Sequence, residues 1–325
     1  MQSTFLAILA ALLLAVPCAA EAQAKSYRVG LVSHVPGGPG PGLAMTGDGI
    51  EAFRQELQRL GYVEGQNVTV QTRLNGEVGI RELLQANVDV LVAVWSPTAL
   101  AAKRATNSVP IVAVGPRDPV EQGLVRSLAR PGGNVTGISS TTSTERGGGP
   151  VKKLEILKEL VPRGSRVAYL TDLSFPGAEP FVSVIERSAP RLGLVIQTFD
   201  VRSESDIDKA FSRMVREGFR GVVPGAEVRM TSGIIALAAK HRLPVVHTLR
   251  QAVEDGGLVS YDINRRDLFR RAAYLVDRIL KGSKPSDLPF EQPTTFEVAI
   301  NLKTAKALGL VIPPSLLIRA TEIIQ

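Results

Sequence analysis

Apolar residues along this chain gather into short, nearly unbroken runs, and most runs give way to a segment of helical period. Ser26–His34 (SYRVGLVSH), Val88–Val94 and Ser165–Asp172 (SRVAYLTD) have the composition of strands buried on both faces. Between such runs, Ile50, Phe53, Leu57 and Leu60 recur at helical spacing before Gly61. Phe181, Val184, Ile185 and Leu192 do the same before Gly193, and Pro190 is expected to end or kink that helix early. Strand and helix alternate throughout. That order predicts an α/β fold of parallel sheets with helices on both faces.

The pattern occurs twice. Ser26–His34 matches Ser165–Asp172, and a Gly/Pro-rich loop follows each: Val35–Gly42 and Leu173–Pro180. Asn67–Leu74 matches Leu194–Val201 as a second strand. Ala99–Val114 lies beside Ala236–Thr248, Arg117 then corresponds to Arg250, and Gly132–Ser139 echoes Gly256–Asp262. Several matches in one order predict two doubly wound lobes of one architecture. Crossings between them are expected at Gly137–Pro150, which is rich in Ser, Thr and Gly, and near Ser260–Asn264. A third is expected at Pro289–Leu310, with a strand and a short helix. Arg265–Gly282 should be an amphipathic helix burying Leu268, Ala272, Leu275, Val276 and Ile279. The expected division is residues 1–24 as a leader, 25–138 with 262–284 as one lobe, and 139–261 with 285–325 as the other.

In open parallel sheets, ligands bind beyond the carboxyl ends of the strands. Two facing lobes bring both sets of loops to one cleft. The strand Val88–Val94 stops at Trp95, Ser96, Pro97 and Thr98, where a helix begins. Ser96 is the expected N-cap, Pro97 suits the first helical position, and Thr98 falls in the first turn. Backbone N–H groups at such a start favour a carboxylate or another anion. Trp95 suits either a core or a stacking wall. Further candidates at strand ends are His34, Asp118 (which could instead pair with Arg117), Ser140, Ser174 and Glu227. Arg250 could clamp a carboxylate in bidentate fashion or form a surface ion pair. Tyr261 offers a ring and a hydroxyl at the second crossing, for ligand or for packing.

Thr4–Ala24 is an apolar stretch followed by small residues. Ala22-Gln23-Ala24 fits a leader-peptide cleavage site, although no Lys or Arg precedes the apolar stretch. Pro17 beside Cys18 is a poor setting for a lipid anchor. Cys18 is the only cysteine, so the chain beyond the leader has no disulfide or thiolate ligand. A periplasmic location follows from this reading. The formal charge is +7, and removing Glu21 with the leader makes it one unit more positive; the basic residues are scattered through helices, as on a solvated surface. His34, His241 and His247 have no metal spacing, no nucleophile elbow is present, and the Gly/Pro-rich loop Val35–Gly42 follows a strand but matches no phosphate-binding pattern cleanly, a weak signal for phosphate. No cofactor, metal or catalytic residue is expected.

Six segments together carry a resemblance. They are Leu60–Val68 (LGYVEGQNV), Asp118–Ser139 (DPVEQGLVRSLARPGGNVTGIS), Lys152–Pro162 (KKLEILKELVP), Leu237–Val246 (LAAKHRLPVV), Gly256–Asn264 (GGLVSYDIN) and Phe296–Leu317 (FEVAINLKTAKALGLVIPPSLL). The chain resembles ABC-transporter substrate-binding proteins of the family that includes tryptophan- and tyrosine-binding lipoproteins. The resemblance implies a type I periplasmic binding fold joined by a multi-strand hinge. It also implies a small solute, an amino acid or aromatic acid, held between the lobes and delivered to a membrane permease with a separate ATPase. It implies that the turn of Ser96–Lys103 receives the solute carboxylate. The sequence departs from the pattern at Val35–Gly49, at Arg117 and at Ser140–Pro150. A monomer that binds no nucleic acid is expected. An enzyme on a similar bilobal scaffold, such as a glycosyl transferase, is the alternative; a transcriptional-regulator core would need a DNA-binding helix pair in place of the leader.

Overall fold

The computed structural model describes residues 26–33, 41–140, 149–174, 178–225, 228 and 230–325. His34, Glu227, the leader and most of the Ser140–Pro150 crossing lie outside the described residues.

The first sheet contains β1 (Tyr27–Ser33), β2 (Val68–Arg73), β3 (Val90–Val94), β4 (Ile111–Val114) and β5 (Val135–Ile138). All its pairings are parallel, in the order β2-β1-β3-β4-β5. Every residue of β3, β4 and β5 is buried, as strands covered on both faces must be. The two-residue period of a strand sends alternate side chains into separate cores. Val90, Val92, Val94, Val112 and Val114 face α1 (Pro41–Arg59) and α9 (Arg265–Leu280). Leu91, Ala93, Ile111 and Ala113 face α2 (Glu77–Gln85) and α3 (Ser96–Ala105). The helix α9 buries the five predicted apolar residues, with Phe269 beside them. Asn264 caps it by accepting from the N–H of Asp267 at 2.8 Å. A Cβ added at Gly49 would stand 2.4 Å from the Phe269 ring, so the glycine is what lets α1 and α9 meet.

The second lobe repeats the plan with α4 (Gly149–Leu160), β6 (Arg166–Thr171), α5 (Ala178–Ser188), β7 (Val195–Asp200), α6 (Glu204–Arg216), β8 (Gly221–Pro224), α7 (Thr231–His241), β9 (Val246–His247), α8 (Arg250–Glu254) and β10 (Val259–Ile263). As Pro190 predicts, α5 stops at Ser188 and a short 3-10 turn follows over Pro190–Leu192. One group of strands runs β7-β6-β8, and a bridge from Val222 to Val245 leads on to β9 and β10. The resulting order is that of the first sheet with each strand replaced by its echo. The second lobe then adds β11 (Phe296–Asn301), antiparallel to β10, followed by α10 (Leu302–Leu308), α11 (Pro314–Arg319) and β12 (Glu322–Ile324), which pairs parallel to β11.

The strands β10 and β11 serve both lobes. Val259 lies in the second-lobe core with Val167 and Tyr169, whereas Ile263 at the other end of β10 lies in the first-lobe core. Likewise Val298 and Ile300 pack in the second lobe, and Phe296 packs against the first. Residues 285–291 correct an expected boundary. They were expected in the second lobe, but Leu288 and Phe290 fill first-lobe cores and Glu291 forms a bridge with Ile138. The physical reason is apolar burial: both side chains find their partners before the chain crosses.

Candidate functional site

The carboxyl edge of the first sheet is organised around Trp95. Its backbone has φ 68 and ψ 160, a region that non-glycine residues rarely enter. Several contacts hold it there. Its N–H donates to the carbonyl of Val114 at 2.8 Å, and its carbonyl accepts from the N–H of Ala99 at 3.0 Å. Its ring lies so close to Gly115 that a Cβ there would meet it at 2.4 Å, and the Arg265 guanidinium lies 5.2 Å from the ring centroid. Trp95 is therefore packed on one side by backbone and on another by a cation.

Trp95 is also the N-cap of α3, which moves the expected cap by one residue. Ser96 and Pro97 become the first two helical positions, because the strained turn at Trp95 already redirects the chain. Ser96 Oγ instead accepts from the N–H of Arg117 at 3.0 Å, tying the start of α3 to the loop after β4. No side chain among the described residues caps α3. The first three N–H positions of a helix have no acceptor within it, and Pro97 carries no N–H. The groups left are the N–H of Ser96 and the N–H of Thr98. Beside them Thr98 is 1% exposed, and its Oγ1 has no hydrogen-bond partner among the described residues. Ser33, at the end of β1, is equally buried, and its Oγ also lacks a partner there.

The other expected site residues divide sharply. Ser140 is close by, its N–H donating to the carbonyl of Pro116 at 3.0 Å. Asp118 Oδ1 accepts from the N–H groups of Val120 and Glu121 at 3.2 and 3.0 Å, closing a local turn. Ser174 is likewise local, with its hydroxyl and N–H both on Asp172 at 2.5 and 2.8 Å. Those two bonds hold the Asp172 carboxyl below its ordinary range. Arg250 is engaged by its own chain: Nε and Nη2 bond Glu322, and Nη2 pairs with Glu254 at 2.7 Å. Tyr261 stacks on Phe296 at 5.5 Å with the rings 8° from parallel, and burial pushes its hydroxyl up to about 12.

Sequence reasoning missed three features. The guanidinium of Arg117 lies 4.6 Å over the Phe181 ring, which belongs to α5 of the second lobe. The loop after β4 thus touches the helix after β6, and the carboxyl edges of the two sheets face each other there. Phe181 had only a helical spacing to recommend it. Secondly, Arg265 grips Asp262 through Nε and Nη2 at 2.8 and 2.7 Å while Nη1 is buried without a partner among the described residues. Thirdly, His247 is 2% exposed at the carboxyl end of β9, and burial pulls its imidazole down to about 3. A hollow of about 30 Å³ opens beside it, lined also by Pro224, Gly225, Val228, Thr231 and Thr248. Behind it the buried Lys153 ammonium donates to the Pro224 carbonyl and to Thr248 Oγ1, each at 2.7 Å.

Comparison with known proteins gives the family. Residues 39–324 match the family described as ABC transporter substrate binding protein. The chain belongs to that family. A tyrosine-binding protein of Clostridioides difficile is 27% identical over 268 residues, covering 80% of this chain and 76% of that protein. Among solved structures, an ABC domain in complex with L-Trp from Streptococcus pneumoniae superposes with a TM-score of 0.75 at 25% identity, covering 92% of this chain and 100% of the other. The ligand-free, open structure of a substrate-binding protein with adhesive properties from Clostridium difficile gives a TM-score of 0.74 at 22% identity, covering 92% and 99%. The fold of this substrate-binding protein is that of type I periplasmic binding proteins. Its family comprises binding proteins rather than enzymes. Among the described residues, no helix is long and apolar enough to cross a membrane.

Proposed function

We propose that this substrate-binding protein is the extracytoplasmic component of an ABC importer, holding a small carboxylate-bearing solute between its lobes. The solute is an amino acid or an aromatic acid. Its carboxylate bonds the N–H groups of Ser96 and Thr98 and the Thr98 hydroxyl. The observation that carries this reading is the uncapped start of α3, with the buried Thr98 Oγ1 beside it. Two N–H donors and a hydroxyl match the acceptor-only character of a carboxylate, and the helix dipole adds to the attraction. The amino-acid character of the solute is supported by the relatives, one described as tyrosine-binding and one solved with L-Trp.

The lobes close on the solute about β10, β11 and the crossing after β5. The bound solute favours the closed form because only there does it touch both lobes. A membrane permease with a separate ATPase receives it. Residues 1–24 act as the export leader, and the protein works as a periplasmic monomer. The lobes comprise residues 25–138 with 262–291, and 139–261 with 292–325, the second boundary following the burial of Leu288 and Phe290.

A thermal-shift screen of amino acids, aromatic acids and neutral sugars on the chain from Lys25 onward tests the reading. A true solute at a hundredfold excess over its Kd adds about 2.7 kcal/mol of stability and raises Tm. Carboxylates are expected to do so. A neutral sugar that stabilises while every carboxylate fails overturns the assignment.

A further inference from the structure

We infer that Arg265 reads a second acidic group on the solute, which makes the preferred ligand a two-headed acid rather than a simple monocarboxylate. This rests on the proposed carboxylate site at α3 and extends it.

Arg265 follows the crossing strand β10 and opens α9. Its planar guanidinium offers five N–H donors on two usable edges. One edge is taken: Nε and Nη2 both reach Asp262 Oδ2, at 2.8 and 2.7 Å. The face lies over the Trp95 ring at 5.2 Å. What remains is Nη1, shielded from water and bonded to nothing among the described residues. A buried donor on a charged group is seldom left unmatched, since its lost hydration is uncompensated. The Asp262 pair and the Trp95 stack fix the guanidinium plane, so the free edge is held in position.

The location gives that edge a purpose. Trp95 is the residue that caps α3, and its ring is the one Arg265 lies against. A single nitrogen makes a one-point contact, suited to one oxygen of a second carboxylate. A charge-assisted bond of that kind is stronger than a neutral one. In this inference the start of α3 and the Arg265 edge act as two acceptor-seeking points, with Trp95 touching both. An aromatic or short aliphatic spacer between two carboxylates spans such a gap.

The test is titration calorimetry with matched pairs of probes: benzoate against phthalate, isophthalate and terephthalate, and butyrate and hexanoate against succinate and adipate. The wild-type protein and Arg265→Lys are compared. Lysine keeps the charge opposite Asp262 and loses the second edge. In the wild type, at least one diacid is expected to bind ten times more tightly than its monoacid partner. In Arg265→Lys that preference is expected to fall below twofold. A wild type that binds monoacids as tightly as diacids overturns the Arg265 assignment and leaves the α3 carboxylate site standing. So does a preference that survives in Arg265→Lys. Failure of every probe of both kinds overturns this inference, while the α3 site stands or falls with the amino-acid screen.

Discussion

Thr98 is where stability and binding come apart. Its Oγ1 is buried and has no hydrogen-bond partner among the described residues, a condition that costs free energy. Replacing threonine by valine removes the stranded hydroxyl and nearly keeps the shape. Thr98→Val is therefore expected to leave Tm unchanged or raise it, while solute affinity falls about tenfold or more, as for a lost bond to a charged group. Parallel melting and calorimetry check both halves; a variant that melts lower and binds normally would show the hydroxyl to be structural. Gly115 is the converse case. It has φ +72 and lies beneath the Trp95 ring. Gly115→Ala imposes a left-handed alanine and a clash at once, so denaturant unfolding should show a loss of about 2 kcal/mol or more. The indole it displaces borders the start of α3, so solute affinity should fall as well.

At the scale of elements, helix and strand identities were legible because apolar period reports burial directly. The alternation in β3 and β4 divides valines from their neighbours into two cores, and Leu268, Ala272, Leu275, Val276 and Ile279 mark one face of α9. The start of α3 was legible to within one residue. The miss arose because sequence rules place a serine at the cap and do not foresee a tryptophan held at positive φ by its surroundings. Arg250 shows a different limit. Its place at a strand end suggested a ligand clamp, yet Glu322 comes from the far end of the chain to engage it. The strand β9 contributes a titratable element that spacing alone could not reveal. His247 is buried and neutral, its imidazole held at about 3 against an ordinary 6.5. The unfolded chain takes up a proton below about pH 6.5 that the folded chain refuses. Stability from this group is complete above that pH and is lost as pH falls toward 3, at about 1.4 kcal/mol per pH unit. Urea unfolding of wild type and His247→Gln at pH 7, 6, 5 and 4 is expected to show the wild type losing stability more steeply by about that slope. Equal slopes would mean that His247 is protonated in the fold.

At the scale of the molecule, the duplicated strand order was legible from the internal echo, because each half must form its own sheet. The contact between lobes was not. Arg117 and Phe181 lie far apart in sequence, and neither has a pattern that points to the other; the stacking at 4.6 Å emerges only from the tertiary fold. In the proposed closure this pair favours the closed form. Arg117→Ala and Phe181→Ala should each enlarge the unliganded protein in small-angle scattering and weaken solute affinity by about three- to tenfold, the worth of one cation–π contact. The double variant should lose little more than either single one, since the two changes remove the same interaction. Fully additive losses would assign the two residues separate roles. The most direct test of the whole account is a crystal structure of the protein with its highest-affinity carboxylate from the screen. The account predicts both lobes in contact with the solute and a carboxylate oxygen within about 2.7–3.2 Å of the Ser96 and Thr98 N–H groups. A solute bound to one lobe alone, or held with its carboxylate away from the start of α3, would contradict it.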